Sequence, residues 1–353
     1  MFSPKYTISP DVISAISEIA EIKAIIERSR VLPLNELQLK REALIRMVHT
    51  STSIEGNKLA EHQVDRVLSG MSVAADDQSI REVKNYQDAV KEVEKLAKEK
   101  KELTSELILK LHEISMKGLL SSEKLGKFRP GEIYVVDDYG DGTEHLRYQG
   151  PDAKKVPMLI KEMIDWYKKA SEKEKLHPVL KSGLLHLQFV SIHPFTDGNG
   201  RLARLLTQFS LYRDSWDFRK IIVLEEFYNK NRQDYYNAEN IVQGQKYHEG
   251  QDLTPWIEYF IAGVLVEARK VHKIISSLGF NKNTEGMQTV LDPDEVKIVD
   301  LLVASNNIRS DDIVKLLKVS KRTAQLKLKN LVEKEVIKPQ GKGPATFYVS
   351  SET

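Results

Sequence analysis

The sequence predicts an all-α protein, mainly helical, with one small β-hairpin and a winged helix-turn-helix module at its C-terminal end. Three observations predict this. Apolar residues recur at three- and four-residue spacing over most of the chain. One stretch, FRPGEIYVVDDYGDGTEHLRYQGP at 128–151, places β-forming residues on either side of DDYGDG, as a hairpin with a four- to six-residue turn would. A break rich in Gly, Asn, Ser and Thr at 276–293 is followed by three short helical patterns and two short strands.

The elements follow in order. Residues 10–29 put Val12, Ile16, Ile19, Ile22 and Ile26 on one face; Ser9 is placed to cap the helix and Pro10 suits its first turn. Residues 34–53 form a second helix with Leu37, Leu44, Ile45 and Val48, and Gly56 stops it. Helices are expected at 79–99, at 104–120 with Thr104 as cap, at 152–170 and at 178–192. The apolar helical pattern resumes after residue 200, with Leu202, Leu205, Leu206 and Phe209. Past the break, helices are expected at 294–304, from Ser310 over SDDIVKLL with Ser310 as N-cap and an acidic first turn, and over KRTAQLKLKNLVEKE with Ala324, Leu328, Leu331 and Val332 inward. VIKPQ and ATFYVS, separated by GKGP, form the wing. The predicted division is an N-terminal helical region at 1–100, a core at 101–275, a linker at 276–293 and the winged module at 294–353.

Composition narrows the function classes. The chain has 353 residues and a formal net charge of +2, so no global field favours nucleic acid or an anionic membrane. It has no cysteine, which excludes disulfides and thiolate metal sites and fits a reducing cytoplasm. The N-terminus MFSPKYTISPDV lacks the apolar core of a signal peptide, and no apolar run approaches the ~20 residues that span a bilayer. A cytoplasmic protein is the expectation. DDYGDG is not an EF-hand calcium loop, because Tyr139 and Tyr148 stand where ligands are needed.

The chemistry concentrates in HPFTDGNGRLAR, residues 193–204, between two helices. Gly198 and Gly200 permit positive φ and close backbone approach. A glycine loop that opens a helix is an anion site, because bare N–H groups point outward and the helix dipole adds positive charge. Arg201 and Arg204, three apart, share a face above that end and suit two phosphate groups. Asp197 borders the nest, where a carboxylate tolerates phosphate through an intervening Mg2+. His193 is a base for a hydroxyl nucleophile near neutral pH. Phe195 anchors the loop. His186 lies two helical turns before His193, but no third ligand makes a zinc site, and it is read as a core residue. The loop is not a P-loop, since no Lys-Ser/Thr follows its glycines.

HPFTDGNGRLAR resembles the signature of Fic-domain proteins, H-x-F-x-D/E-G-N-G-R-x-x-R, with every specified position filled. The resemblance covers roughly residues 30–275 and implies a helical core with the 128–151 hairpin as a target-docking flap. It implies transfer of AMP from ATP to a Ser, Thr or Tyr hydroxyl of a protein, with pyrophosphate released. It further implies roles. His193 is the base and Asp197 the Mg2+ ligand. Gly198, Asn199 and Gly200 form the anion hole. Arg201 holds the inner phosphates and Arg204 the γ-phosphate. NRQDYYNAENIVQ resembles the adenine-side segment, with Tyr236 walling the base; Gln243 falls where the family often has asparagine. Gly200, which relatives that phosphorylate replace with lysine, favours AMP transfer.

STSIEGN at 51–57 resembles the family's inhibitory motif S/T-x-x-x-E-G/N, with Ser51, Glu55 and Gly56 in place. It implies an inhibitory helix at about 34–57 in which Glu55 pairs with Arg204, the residue that should hold the γ-phosphate. Self-modification and a homodimer are also expected from the resemblance. Two other readings stand beside it. One is a nucleotide-sensing, DNA-binding transcriptional regulator, supported by Lys318, Lys321, Arg322, Lys327 and Lys329 on and around the recognition helix. The other is transfer of phosphate or phosphocholine from another nucleotide.

Overall fold

A computed structural model describes residues 2–29, 31, 33–138, 144–279, 291–305, 307–334, 336–341, 343 and 346–351. The helices of the first half are α1 (Pro10–Arg28), α2 (Pro33–Ile54), α3 (Glu61–Leu68), α4 (Asp77–Lys98) and α5 (Ser105–Met116). Strands β1 (Tyr134–Asp138) and β2 (Glu144–Gln149) form an antiparallel hairpin. Then come α6 (Val156–Glu172), α7 (Pro178–Ile192), α8 (Asn199–Arg213), α9 (Leu224–Lys230), α10 (Arg232–Gln243) and α11 (Thr254–Gly279). The C-terminal elements are α12 (Pro293–Ser305), α13 (Ser310–Leu317), α14 (Lys321–Glu333), β3 (Ile337–Gln340) and β4 (Phe347–Ser350).

Local chemistry sets most boundaries. Ser9 Oγ accepts from Val12 N–H at 3.3 Å and Thr104 Oγ1 from Leu107 N–H at 3.2 Å, so both expected caps operate. Gly56, at φ +96°, ends α2 in a conformation that L side chains rarely adopt. Ser310 does not cap α13. It is the first helical residue, and Asp312 reaches back to the Arg309 N–H at 2.8 Å. The turn expected around 137–142 falls largely on residues 139–143, outside the described residues.

The chain divides into two compact units: 1–27 with 44–271, and 28–43 with 272–353. This differs from the expected division at two places. Residues 1–27 and 44–100 belong with the core, because α4 packs directly on α8 and α5. Residues 28–43 group instead with the C-terminal elements, since Leu37 packs on the apolar cluster of Ile298, Val299, Leu302, Ile313, Leu328 and Leu331. The expected linker is also shorter at both ends, because α11 continues to Gly279 and α12 begins at Pro293. Helices α3, α9, α10 and α11 were not among the expected elements.

The first unit is built around α7. Every residue from Val179 to Ile192 is buried, and α6 and α8 pack against it. A helix buried on every face, its few polar side chains included, sits inside the bundle. Its carboxyl end is therefore a fixed platform, and the 193–198 loop starts from it. In the second unit, α12, α13, α14 and the β3–β4 hairpin occur in the expected order, and Ile308 bridges to Tyr348. Among the described residues no helix is long and apolar enough to cross a membrane.

Candidate active site

The loop after α7 is held from three sides. His193 caps α7 in the left-handed conformation (φ 48°, ψ 59°), strained for a residue with a Cβ. Phe195 is fully buried and stacks on His112 of α5, with ring centroids 3.8 Å apart. His112 Nδ1 accepts from Gly126 N–H at 3.0 Å, which leaves Nε2–H to donate to the Asp197 carbonyl at 3.1 Å. Burial pulls His112 down to about 4, so it stays neutral and keeps this tautomer. Arg129, also buried, donates to the His193 carbonyl (2.8 Å), the Gly131 carbonyl (2.6 Å) and the Pro151 carbonyl. One guanidinium thereby ties the base of the hairpin to the loop.

His193 Nδ1 lies 3.2 Å from the Val190 carbonyl, to which only a protonated Nδ1 can donate. Nε2 is then left with its lone pair, as a general base requires. Burial holds the imidazole below its usual value, partly offset by the Val190 bond, so it is neutral at pH 7.

The two glycines serve different needs. Gly198 precedes α8 at φ 83°, and a Cβ there would approach Met116 Sδ to 2.7 Å. Gly200 lies within α8 and needs no positive φ. A Cβ at Gly200 would sit 2.6 Å from Glu55 Oε1, so glycine is what allows Glu55 to approach. The Asn199 side chain turns back into the loop: Nδ2 donates to the Phe195 carbonyl (2.8 Å) and Oδ1 accepts from the Phe195 N–H (2.9 Å). Its side chain is a staple, and only its backbone N–H remains for an anion. The first N–H groups of a helix have no intrahelical partner, so those at the start of α8 face the site.

The arginines differ sharply. Arg201 has a side chain only 6% exposed, with contacts of 3.5 Å to Asp197 Oδ1 and 3.9 Å to Glu82 Oε1. Its Nε and one terminal nitrogen have no hydrogen-bond partner among the described residues. Buried donors left open are costly, and an anionic ligand would satisfy them. Arg204 is occupied instead. It donates to Ser51 Oγ at 2.8 Å, to the Ser51 carbonyl at 3.1 Å and to Glu55 Oε1 at 2.7 Å. Burial would raise the Glu55 pKa, but Arg204 and Arg201 outweigh it and hold the carboxylate below its usual value. The pair therefore remains ionised through mild acidification, and its stability is lost only as pH falls through that lowered value.

Asp197 has a side chain 53% exposed at the mouth of this nest. Among the described residues no group of three or more His, Cys, Asp or Glu could hold a metal. A single outward carboxylate fits a hard cation whose other ligands are phosphate oxygens and water, rather than a protein cage.

The hairpin reaches over the far side. Its strands pair Tyr134 with Gln149 and Val136 with Leu146, with a bulge after Val135. Tyr148 donates to the Ser191 carbonyl, and the Arg147 guanidinium lies 4.1 Å from the Tyr236 ring centre. Tyr236 thus lies on α10, partly covered by the hairpin. Gln243 is buried and donates to Ser191 Oγ at 3.1 Å, so its amide is tied to α7. His186 lies in the core, with ring nitrogens 2.9 Å from Thr207 Oγ1 and from the Tyr235 hydroxyl.

Residues 102–211 match the model of the Fic/DOC family. A Fic family protein from Desulfovibrio desulfuricans G20 superposes with a TM-score of 0.64 at 27% identity, over 99% of this chain and 98% of that one. The chain is a Fic-domain protein. Two relatives named "Protein adenylyltransferase Fic" are similar to it. The one from Nematostella vectensis is 30% identical over 235 residues, 65% of this chain and 49% of its own length. The one from Drosophila grimshawi is 30% identical over 202 residues, 56% and 37% respectively. The chain thus spans half or less of the length of these curated relatives. The structure brings His193, Asp197, Gly198, Gly200, Arg201 and Arg204 of the matched segment to one place, together with Ser51 and Glu55, which lie outside it. Arg129 and His112, which fix the loop, were absent from the sequence reading. FRPG before the hairpin and a lone histidine in an apolar helix were the available signals.

Proposed function

We propose that this Fic-domain chain is a protein adenylyltransferase that moves AMP from ATP to a Ser, Thr or Tyr hydroxyl, including its own, and that it is held in a braked state by Glu55. One observation carries the reading. Two buried guanidiniums converge on the amino end of α8, one with open donors and one occupied by a carboxylate. Such a pairing suits several phosphates in a row.

In this account the triphosphate lies along the amino end of α8. Arg201 and the first N–H groups of the helix hold the inner phosphates, and Arg204 takes the terminal one. Asp197 would hold Mg2+ with the phosphates; when bound, the cation neutralises charge between them. His193 Nε2 takes the proton of the target hydroxyl. The hydroxyl oxygen bonds to the α-phosphorus, the α–β bridge breaks, AMP stays on the target and pyrophosphate leaves. The Val190 bond fixes the ring, and the neutral state that burial favours keeps the base ready. The hairpin offers strand backbone to an extended target segment. Tyr236, beneath Arg147, is placed to wall the adenine.

Glu55 opposes this in two ways: it occupies Arg204, and its charge repels the terminal phosphate. A displaced triphosphate leaves the α-phosphorus out of line with the nucleophile, and about 1 Å of misplacement costs ~100-fold. The names of the relatives support AMP transfer over phosphate or phosphocholine transfer. Incubation of the Glu55→Gly variant with ATP labelled at the α- or the γ-phosphate tests this. Label from the α-position alone supports the proposal, and label from the γ-position alone overturns it.

The C-terminal unit we read as a winged helix. A DNA-binding regulator draws less support, because the lysines of α14 are engaged. Lys321 pairs with Asp311 (3.0 Å), Lys327 with Asp292 (2.7 Å) and Lys329 with Glu333 (3.6 Å).

A further inference from the structure

A second carboxylate lies near Arg204. Glu225 of α9 is buried, 5% exposed, and accepts a hydrogen bond from the Tyr86 hydroxyl of α4 at 3.4 Å. Glu225 and Arg204 line one cavity of about 30 Å3, together with Met47, Gln208 and Tyr228. Gln208 Oε1 and the Tyr228 hydroxyl, both buried, have no hydrogen-bond partner among the described residues. The cavity wall is mostly apolar, so the field between Arg204 and Glu225 is weakly screened there.

We propose that Glu225 is the interior counterion of Arg204, taking over the guanidinium when Glu55 withdraws and releasing it when the terminal phosphate of a nucleotide arrives. This rests on the adenylyltransferase reading above. Arg204 cannot shed its proton, and a buried guanidinium without a counterion is costly. Between the departure of Glu55 and the arrival of phosphate, a carboxylate must stand nearby. Among the described residues, Glu225 is the carboxylate that lines a cavity with it.

The protonation chemistry agrees. Burial pushes Glu225 up to about 7 against the pull of Arg204 and Tyr86, so at neutral pH it is poised between acid and carboxylate. Removal of Glu55 leaves Arg204 unopposed and favours the carboxylate. A bound triphosphate opposes Arg204 again and favours the acid. The other ionisable groups facing Glu225 are Tyr212 of α8, and Tyr228 and Glu226 of α9, with Glu226 itself paired to Arg46 at 3.1 Å. Both tyrosines are pushed far above their usual value by burial, so neither titrates near neutrality. Glu225 is thus a positioning residue, acting on nucleotide through Arg204.

Calorimetry of ATP binding in buffers of different ionisation heat tests the idea, with the full chain carrying Glu55→Gly. Near pH 7, binding should take up roughly half a proton to one proton beyond that measured with Glu55→Gly/Glu225→Gln. The protonation of ATP itself is common to both proteins and cancels. A merely structural role for Glu225 would change affinity or Tm without changing the proton count. Equal uptake in the two proteins would overturn the inference. Should Glu225→Gln fail to fold, Tyr86→Phe in the Glu55→Gly chain gives a second reading. Loss of the hydroxyl donor should move the pH of maximal uptake upward, and an unmoved pH would overturn the inference. If Glu55→Gly binds ATP no more tightly than AMP, the triphosphate reading falls and this inference with it. If it prefers ATP but Glu225→Gln leaves the uptake intact, this inference alone falls.

Discussion

Two basic regions of this chain look alike in sequence and differ in structure. The loop from His193 to Arg204 carries two arginines at three-residue spacing, and helix α14 carries lysines and an arginine at similar spacing. In the first, the guanidiniums are buried, and Arg201 has donors without partners. In the second, Lys321 and Lys329 are mostly exposed and already face Asp311 and Glu333. Lys327 and Lys334 tie α14 to Asp292 and Glu295 at the start of α12. Charge that is buried and under-satisfied has been kept at a cost, and a ligand explains why. Charge that is solvated and neutralised within its own fold has an explanation already.

The comparison can be broken or sharpened by experiment, beginning with the largest effect. His193→Ala should lower AMP transfer by at least ~10²–10⁴-fold in the Glu55→Gly chain, the range of a lost general base, with ATP affinity little changed. Retained transfer would mean that the loop binds nucleotide without performing the chemistry. Glu55→Gly should raise label incorporation from α-labelled ATP ~100-fold over the parent, because the triphosphate recovers its in-line pose. It should also lower Tm in the absence of ATP, since breaking a buried pair costs about 3–5 kcal/mol, less whatever solvent at the partly exposed Glu55 restores. Equal labelling of parent and variant would remove the brake from the account.

Smaller effects follow. The pH profile of kcat/KM for Glu55→Gly should be flat above neutrality on its acid side. It should fall on acidification with a midpoint below ~6.5, because burial lowers His193 and the base must be neutral to act. A midpoint above that value would contradict the burial argument. Smallest of all should be the response of the C-terminal unit to nucleic acid. With the lysines of α14 engaged in ion pairs, duplex DNA should bind with a log K against log salt slope shallower than about −3, as for a few phosphate contacts. A steep slope in a mobility-shift series would restore the regulator reading.

Sequence disclosed the site unevenly, and the reason is range. His193, Asp197, Gly198, Arg201 and Arg204 lie within twelve residues of one another, so their joint chemistry is visible without a fold. Glu55 lies far off in sequence and was legible only because SIEGN resembles a motif. Arg129 was not legible. Its acceptors, at His193, Gly131 and Pro151, come together only when the hairpin folds back on the loop. Glu225 was hidden for a similar reason, since an acid after an apolar residue looks like an ordinary first-turn carboxylate until burial is known. Asn199 has a second part that spacing does not show. Its side chain binds the loop backbone rather than facing the anion site. The ion pairs of the α14 lysines were not legible, because partners such as Asp292, 35 residues from Lys327, are invisible to local spacing. Among the helices, α11 went unseen although its 26 residues are strongly apolar on one face. The first four residues of the Gly-, Asn-, Ser- and Thr-rich break at 276–293 complete that helix, so composition hides its end.

The central claim is that a triphosphate lies on the amino end of α8 between Arg201 and Arg204 once Glu55 is gone. A crystal structure of the Glu55→Gly variant with ATP and Mg2+ measures it most directly. The account predicts the γ-phosphate on Arg204, the inner phosphates on Arg201 and the first amides of α8, and the α-phosphorus open to a hydroxyl beside His193 Nε2. A structure with nucleotide bound elsewhere, or with Arg204 still turned from the phosphates, would contradict it.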